Sequence, residues 1–388
     1  MFESKIVTPR IRKMDQVEIV SFLGECKKQA KPGLIDLSIG NPDIPPCPEA
    51  LNELLERSRD PNMHGYGNFN GVGELLEGIG AYYKQVFKTE VNPQEIMVVR
   101  GIRSAIFDVA TVFAGSGDYI LLPSVSYPSY FLATEFCGAS TYLIPSSEES
   151  DYLPDLTQIP LDVVEKAKIL YLNYPHNPTG AVITRDKLEE IVEFAHKNSI
   201  LLCYDNAYNE IVFDGIKPLS LMEIEGAREV GIELFSFSKL TSLAGWRISF
   251  IAGGEAIIKE IREYLSLTDT APYNGFQYGA AVALKQTYLD NTGAKLGEHY
   301  QKRRDELIEV LETIGLDYYK SMGGFYIWVK SPKGDGRSFT NYLLNEANIL
   351  VVPGDYYGED GTNYVRLSLT TSEDDFQEVL KRLKRLTL

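Results

Sequence analysis

A chain of 388 residues is too long for one ordinary hydrophobic core and short for three, so two domains are expected. With 44% hydrophobic and 24% charged residues and no biased tract, nearly all of it should fold. Its 38 Lys and Arg stand against 54 Asp and Glu, and the formal charge of −16 repels phosphate backbones and anionic membranes, which argues against a nucleic-acid partner. A small anion held in a local positive pocket remains compatible with that balance.

The four cysteines, Cys26, Cys47, Cys137 and Cys203, are far apart and make no C-x-x-C pair or metal-like spacing with the four histidines. They read as reduced thiols, with no metal site. Met1–Asp15 lacks a signal-peptide core and no stretch is apolar for about 18 residues, so the expectation is a cytoplasmic protein without a membrane partner.

In chain order, the first elements are strand-like Leu34–Ser38 and a turn at Gly40-Asn41-Pro42, in a segment (1–44) too short to fold alone and expected to pack on a smaller domain and the cleft. Residues 45–280 follow as a large domain. Its candidate strands are Ile96–Val99, Tyr119–Leu122, Lys168–Leu172, Ile200–Tyr204, Glu233–Ser236 and Ile248–Ala252, alternating with amphipathic stretches in the pattern of a mostly parallel sheet flanked by helices. One such stretch has Thr184 as its cap and Leu188, Ile191, Val192 and Ala195 at helical spacing. Residues 281–388 change character. A charged helix around Gln301–Ile314 leads to strand-like Gly324–Val329, Ile349–Val352 and Tyr364–Ser368, an α+β pattern. The fold class is thus α/β with a second, smaller α+β domain.

Ligands of open α/β sheets gather beyond the carboxyl ends of strands, and polar residues stand at several of these ends. Gly101-Ile102-Arg103-Ser104 follows the first strand and opens a helix. Asn173-Tyr174-Pro175-His176-Asn177-Pro178-Thr179-Gly180 follows the third, Asp205 the fourth, and Ser236-Phe237-Ser238-Lys239 the fifth. No G-x-G-x-x-G opens a helix after a strand, which argues against a dinucleotide enzyme.

The ordered set Asn177-Pro178-Thr179-Gly180, Asp205-x-x-Tyr208, Ser236-x-Ser238-Lys239 and Gly245-Trp246-Arg247 resembles the class I and II aminotransferases. These are pyridoxal 5'-phosphate (PLP) enzymes of fold type I. The likeness runs from Ser38-Ile39-Gly40-Asn41-Pro42-Asp43 to Tyr364-Val365-Arg366-Leu367-Ser368, nearly the whole chain, and is nearest to the LL-diaminopimelate, aspartate and alanine-type members.

The resemblance implies a role for each matching residue. Lys239 would carry the cofactor as a Schiff base and move the proton at the substrate Cα. Asp205 would keep the pyridine nitrogen protonated, while Tyr208 and Asn177 bond the phenolic oxygen. The phosphate would lie on the helix N-terminus at Gly101, Ile102 and Arg103, with Ser236, Ser238 and Arg247. Tyr127 would stack on the ring. Arg366 would hold the substrate's α-carboxylate beside Gly40, whose missing side chain lets backbone approach closely. Tyr66 matches a tyrosine that reaches the phosphate of a partner subunit, which implies a homodimer. His64 and His176 read as structural or supporting groups.

The chain also departs from the family's common pattern. Gly101-Ile102-Arg103-Ser104 stands where relatives often read Gly-Ser-Lys-Glu, Leu240 replaces a threonine, Ser242-Leu243-Ala244 replaces Asn-Met-Thr, and Tyr356-Tyr357-Gly358 carries Tyr where Phe-Gly is frequent. Backbone donors survive these changes. The reaction implied is ping-pong transfer of an amino group between an L-amino acid and a 2-oxo acid. A C–S β-lyase on the same fold is the alternative, and would release pyruvate and ammonia without an acceptor. A non-catalytic ligand-binding relative is a third reading, but it would have no use for Lys239 and Asp205.

Overall fold

The structure, a computed structural model, describes residues 16–387; the expectation made for Met1–Asp15 lies outside them. The described chain begins with a helix at Gln16–Gln29 and a short strand, β1 (Ile35–Asp36). Seven strands follow: β2 (Ile96–Val99), β3 (Tyr119–Pro123), β4 (Ser140–Ile144), β5 (Ala167–Asn173), β6 (Leu201–Asp205), β7 (Gly231–Ser236) and β8 (Ser249–Gly253). They form one sheet in the order β2-β8-β7-β6-β5-β3-β4. The pairs from β4 to β7 are parallel, and β8 runs antiparallel to both its neighbours.

A parallel strand covered by helices on both faces should be buried throughout rather than alternating. That holds for β6 and β7, in which every residue is buried, and for six of the seven in β5. The sequence pattern anticipated six of these strands. The seventh, β4, sits at the sheet edge with mostly exposed residues, so Ser140, Thr141 and Tyr142 give none of the apolar signal that reveals the inner strands. On the flank, the cap expected at Thr184 is present: its side chain accepts from the Lys187 amide at 3.3 Å, a contact worth about 1 kcal/mol. Leu188, Ile191, Val192 and Ala195 face inward from that helix.

The smaller unit is antiparallel. Strands β9 (Tyr318–Tyr319), β10 (Tyr326–Lys330), β11 (Ile349–Leu350), β12 (Val352–Pro353) and β13 (Tyr364–Ser368) lie among helices Thr292–Thr313, Gly336–Ala347 and Glu373–Leu383. Four of them make a sheet ordered β12-β13-β10-β9, while β11 pairs in parallel with β1. That pairing ties the N-terminal segment to this unit. A small apolar cluster of Cys26, Leu344 and Leu350, with Phe22 and Leu23 against it, seats the Gln16–Gln29 helix on the same unit.

Among the described residues, the four cysteines form no disulfide. Among the described residues, no helix is long and apolar enough to cross a membrane, and no group of His, Cys, Asp and Glu is arranged to hold a metal.

Candidate active site

Asn173, Asp205 and Ser236 are the last residues of β5, β6 and β7, so three neighbouring strands deliver polar side chains to one rim of the sheet. Asn173 and Asp205 are also direct partners in register. Beyond this rim opens a cavity of about 970 Å³, closed on the far side by residues of the smaller unit and the N-terminal segment. Gly40, Ile102, Arg103, Tyr127, Asn177, Asp205, Tyr208, Ser236, Ser238, Lys239, Arg247 and Arg366, widely spaced in sequence, all line it. Gly101 lies just behind. Tyr66 does not line its own chain's cavity and is 93% exposed.

Lys239 projects from a single-turn helix, Phe237–Leu240, capped by Ser236, whose hydroxyl oxygen accepts from the Ser238 amide at 3.1 Å. The Lys239 ammonium donates to the Gly40 carbonyl at 2.6 Å. Burial, then the positive charges of Arg366 and Arg247, bring its pKa down to about 8, with Asp205 opposing them. The amine is therefore within reach of its neutral form near physiological pH.

Asp205 is 4% exposed, and burial pushes its carboxyl up to about 6. Two donors and one cation pull the other way: the Tyr130 hydroxyl at 2.8 Å from Oδ2, the Ala207 amide at 3.2 Å from Oδ1, and Lys239. Asn173 steadies the strand end, donating to the Asp205 carbonyl at 2.8 Å and accepting from the Asn177 amide at 2.9 Å.

At the other end of the cavity, Arg366 on β13 is buried, at 6% exposure. Its guanidinium donates to Asn177 Oδ1 at 3.0 Å and to the Ser38 carbonyl at 2.6 Å, while Nε has no hydrogen-bond partner. The group lies 4.0 Å from the centroid of the Tyr326 ring. Among the described residues, no carboxylate stands within ion-pairing distance of it. A buried charge with only neutral partners costs several kcal/mol, which an incoming carboxylate would relieve. A Cβ on Gly40 would fall 1.8 Å from the Tyr326 hydroxyl oxygen, so any other residue here forces the turn or that ring to shift.

The helix Ile102–Phe113 aims its N-terminus at the cavity after Gly101, whose φ of 96° favours glycine. Arg247 packs against that turn, so that a Cβ at Gly101 would lie 2.5 Å from its Nη2. Unpaired amides at a helix start, the Ser236 and Ser238 hydroxyls and a guanidinium free of any carboxylate among the described residues make a donor set suited to a phosphate. Together with an amine of lowered pKa and a buried carboxylate facing it, these residues can hold a phosphorylated aldehyde bearing a basic ring nitrogen.

Several residues in or beside the cavity had no role assigned from the sequence. Asn173 stood in the strand-end run 173–180 without a role of its own, and Tyr130, which bonds Asp205 from outside the cavity lining, could have been found as the position one helical turn after Tyr127. Tyr326 lines the cavity through the tertiary fold alone, without a motif, while Tyr356 and Tyr357 stood out in the sequence only as a departure from the family's Phe-Gly. His176 is buried against Thr179, and burial depresses its pKa to about 3, which leaves it neutral. His64 lies at the surface beside Tyr273.

The sequence pattern of the family described as Aminotransferase class I and II matches residues 32–383. An LL-diaminopimelate aminotransferase of Syntrophobacter fumaroxidans is 34% identical over 356 residues, 91% of each chain. Transaminase BacF of Bacillus subtilis is 35% identical over 390 residues, covering 98% of this chain and 97% of the relative. A substrate-bound structure of BacF superposes with a TM-score of 0.93 at 34% identity, covering 98% of both chains. With the same cavity-facing lysine, aspartate and arginines predicted from its motifs, this chain belongs to the class I and II aminotransferases and is a PLP-dependent enzyme that transfers an amino group between an amino acid and a 2-oxo acid.

Proposed function

We propose that Lys239 anchors the cofactor and transfers the proton at the substrate Cα, and that Arg366 fixes the substrate by its α-carboxylate. The observation that carries this reading is the Lys239 amine, which donates to the Gly40 carbonyl and is brought to a pKa of about 8 in a cavity that Asp205 and Arg366 also line. A base poised near the working pH shuttles protons most effectively. Bound PLP supplies an aldehyde for the amino group and a ring that draws electrons from Cα.

The remaining residues act around that chemistry. Asp205, neutralised by burial only up to about pH 6, is the anion that keeps a ring nitrogen cationic, and a cation beside it would lower its own pKa. Gly101, Ile102 and Arg103 offer backbone amides to the phosphate, joined by Ser236, Ser238 and Arg247. Tyr127 covers one face of the ring, while Asn177 and Tyr208 bond the phenolic oxygen. Asn177 already accepts from Arg366, so one side chain joins the ring site to the carboxylate site. Gly40 lets its carbonyl stand against the Lys239 amine and the substrate carboxylate pass close to backbone.

A homodimer completes the unit in this reading, with the exposed Tyr66 of each protomer reaching its partner's phosphate site. The acidic composition and four cysteines without a disulfide favour the cytoplasm. The test is a panel of amino acids added singly to the holoenzyme, then 2-oxoglutarate or pyruvate. Visible cofactor absorbance should fall with a reactive amino acid and return with a 2-oxo acid. Release of pyruvate and ammonia with no need of an acceptor would overturn the reading.

A further inference from the structure

Arg100 stands between β2 and Gly101, one residue before the turn that opens the phosphate helix. Its guanidinium meets the Asp269 carboxylate with two nitrogens: Nε donates to Oδ2 at 3.0 Å, and Nη2 pairs with Oδ1. Asp269 closes the helix Glu255–Thr268, on which Arg262 donates to the Ile96 carbonyl at 3.0 Å. That helix is therefore fastened to β2 at the strand's first residue and again just past its last. Asp108, on the helix that begins after Gly101, lies near the same pair; burial, then Asp269, push its carboxyl up to about 6, with Arg100 opposing them. One cation thus serves two carboxylates, and its two-nitrogen contact with Asp269 is the geometry in which a partly exposed pair holds best.

Beyond Asp269 the chain turns, with Asp269 Oδ1 also accepting from the Thr270 amide at 2.6 Å, and the residues that follow seat the stretch after Tyr66. The Asn68 amide donates to Asn274 Oδ1 at 2.7 Å. The buried Gln277 side chain donates to the Pro272 carbonyl at 2.8 Å and accepts from the Val72 amide at 2.9 Å, which joins the two stretches. The fit at Gly67 is close, since a Cβ there would lie 2.4 Å from the Pro272 carbonyl oxygen. Tyr66 itself is 93% exposed. A side chain so exposed can bring its hydroxyl to one point only if the backbone that carries it is fixed.

We infer that Arg100 and Asp269 are positioning residues for Tyr66: they fasten residues 269–274, and with them residues 67–72, to the start of the phosphate turn, so that one protomer's cofactor site sets where its Tyr66 meets the partner's phosphate. The inference rests on the proposed homodimer, in which Tyr66 crosses to the other subunit. Without the cation, the Asp108 and Asp269 carboxylates repel each other with nothing between them, and residues 269–274 draw away from the turn. Gly67 moves with them.

The experiment measures the dissociation constant of PLP by absorbance for the wild type, Y66F, R100M, R100K and the double variants Y66F/R100M and R100M/D108N, with the dimer followed by sedimentation and folding by thermal melting. Y66F should weaken PLP binding about tenfold, the loss of one hydrogen bond to a charged group. R100M should weaken it about fivefold, the upper end for a half-exposed ion pair, and should add little further loss in Y66F, because the pair acts through the Tyr66 hydroxyl. D108N should return most of what R100M loses by removing the repulsion, and R100K should keep part of the wild-type affinity. Additive losses in Y66F/R100M, unchanged PLP affinity in R100M, or R100M/D108N binding no tighter than R100M would each overturn the inference. So would a dimer lost in R100M, which would make the pair an assembly contact. Unchanged affinity in Y66F alone would sink the reading of Tyr66 itself, and the inference with it; that failure shows in the single variant, whereas failure of the inference alone shows in the double variants.

Discussion

Around Lys239 the cavity is built from consecutive strand ends: Asn173, Asp205 and Ser236 close β5, β6 and β7, and the pairing of those strands sets their spacing. Around Arg366 it is built from distant pieces, since the two groups that hold the guanidinium, Asn177 and Ser38, are 189 and 328 residues away in sequence. The first region inherits its geometry from backbone hydrogen bonds within one sheet. The second exists only once the N-terminal segment, the large sheet and the smaller unit have come together. Chemistry that must be held to a fraction of an ångström belongs on the first, and substrate selection, which can change by loop and side-chain substitution, belongs on the second.

This contrast can be broken or sharpened by substitution. The largest effect is expected from Lys239→Ala, which removes both anchor and base: single-turnover amino transfer should fall on the order of 10⁴-fold or more. Asp205→Asn keeps the Tyr130 contact but removes the charge, and should lower kcat on the order of 10²- to 10³-fold with little change in KM. Arg366→Leu should leave the cofactor's absorbance in place and reduce kcat/KM by about 100-fold, a loss confined to the substrate end.

That same substitution tests the electrostatics. A neighbouring cation disfavours a protonated amine, so losing Arg366 should raise the Lys239 pKa above its value of about 8. The pH at which the cofactor-free protein's Lys239 is half-modified by an aldehyde should therefore move upward. The smallest effect is expected from Gly40→Ala, whose Cβ meets the Tyr326 hydroxyl: the turn must shift, and KM should rise roughly tenfold while kcat changes less. Equal damage to kcat would place Gly40 in the proton-transfer region instead.

The same contrast explains what could be read in the sequence. Inner parallel strands are apolar on both faces and announce themselves, and the residues that end them fall into short motifs, so Asp205, Asn177, Ser236, Ser238 and Lys239 could be named before any coordinates. Edge strand β4 could not, because solvent on its outer side permits Ser, Thr and Tyr. Tyr326 gave no signal, since a tyrosine among 24 carries no sign of which surface it will face, and Tyr356 stood out only as a departure from the family pattern. Arg103 was legible only as a backbone donor at a helix start; the turn of its side chain toward Tyr127 depends on the helix at Pro128–Cys137 packing beside it.

The central claim, that Lys239 carries the cofactor, is tested most directly by reducing the holoenzyme with borohydride and mapping the tagged peptide by mass spectrometry. The account predicts a single pyridoxyl-modified lysine, Lys239, and no tagged peptide from Lys239→Ala. A tag on any other lysine in the wild type, or a tag that survives in the variant, would contradict it.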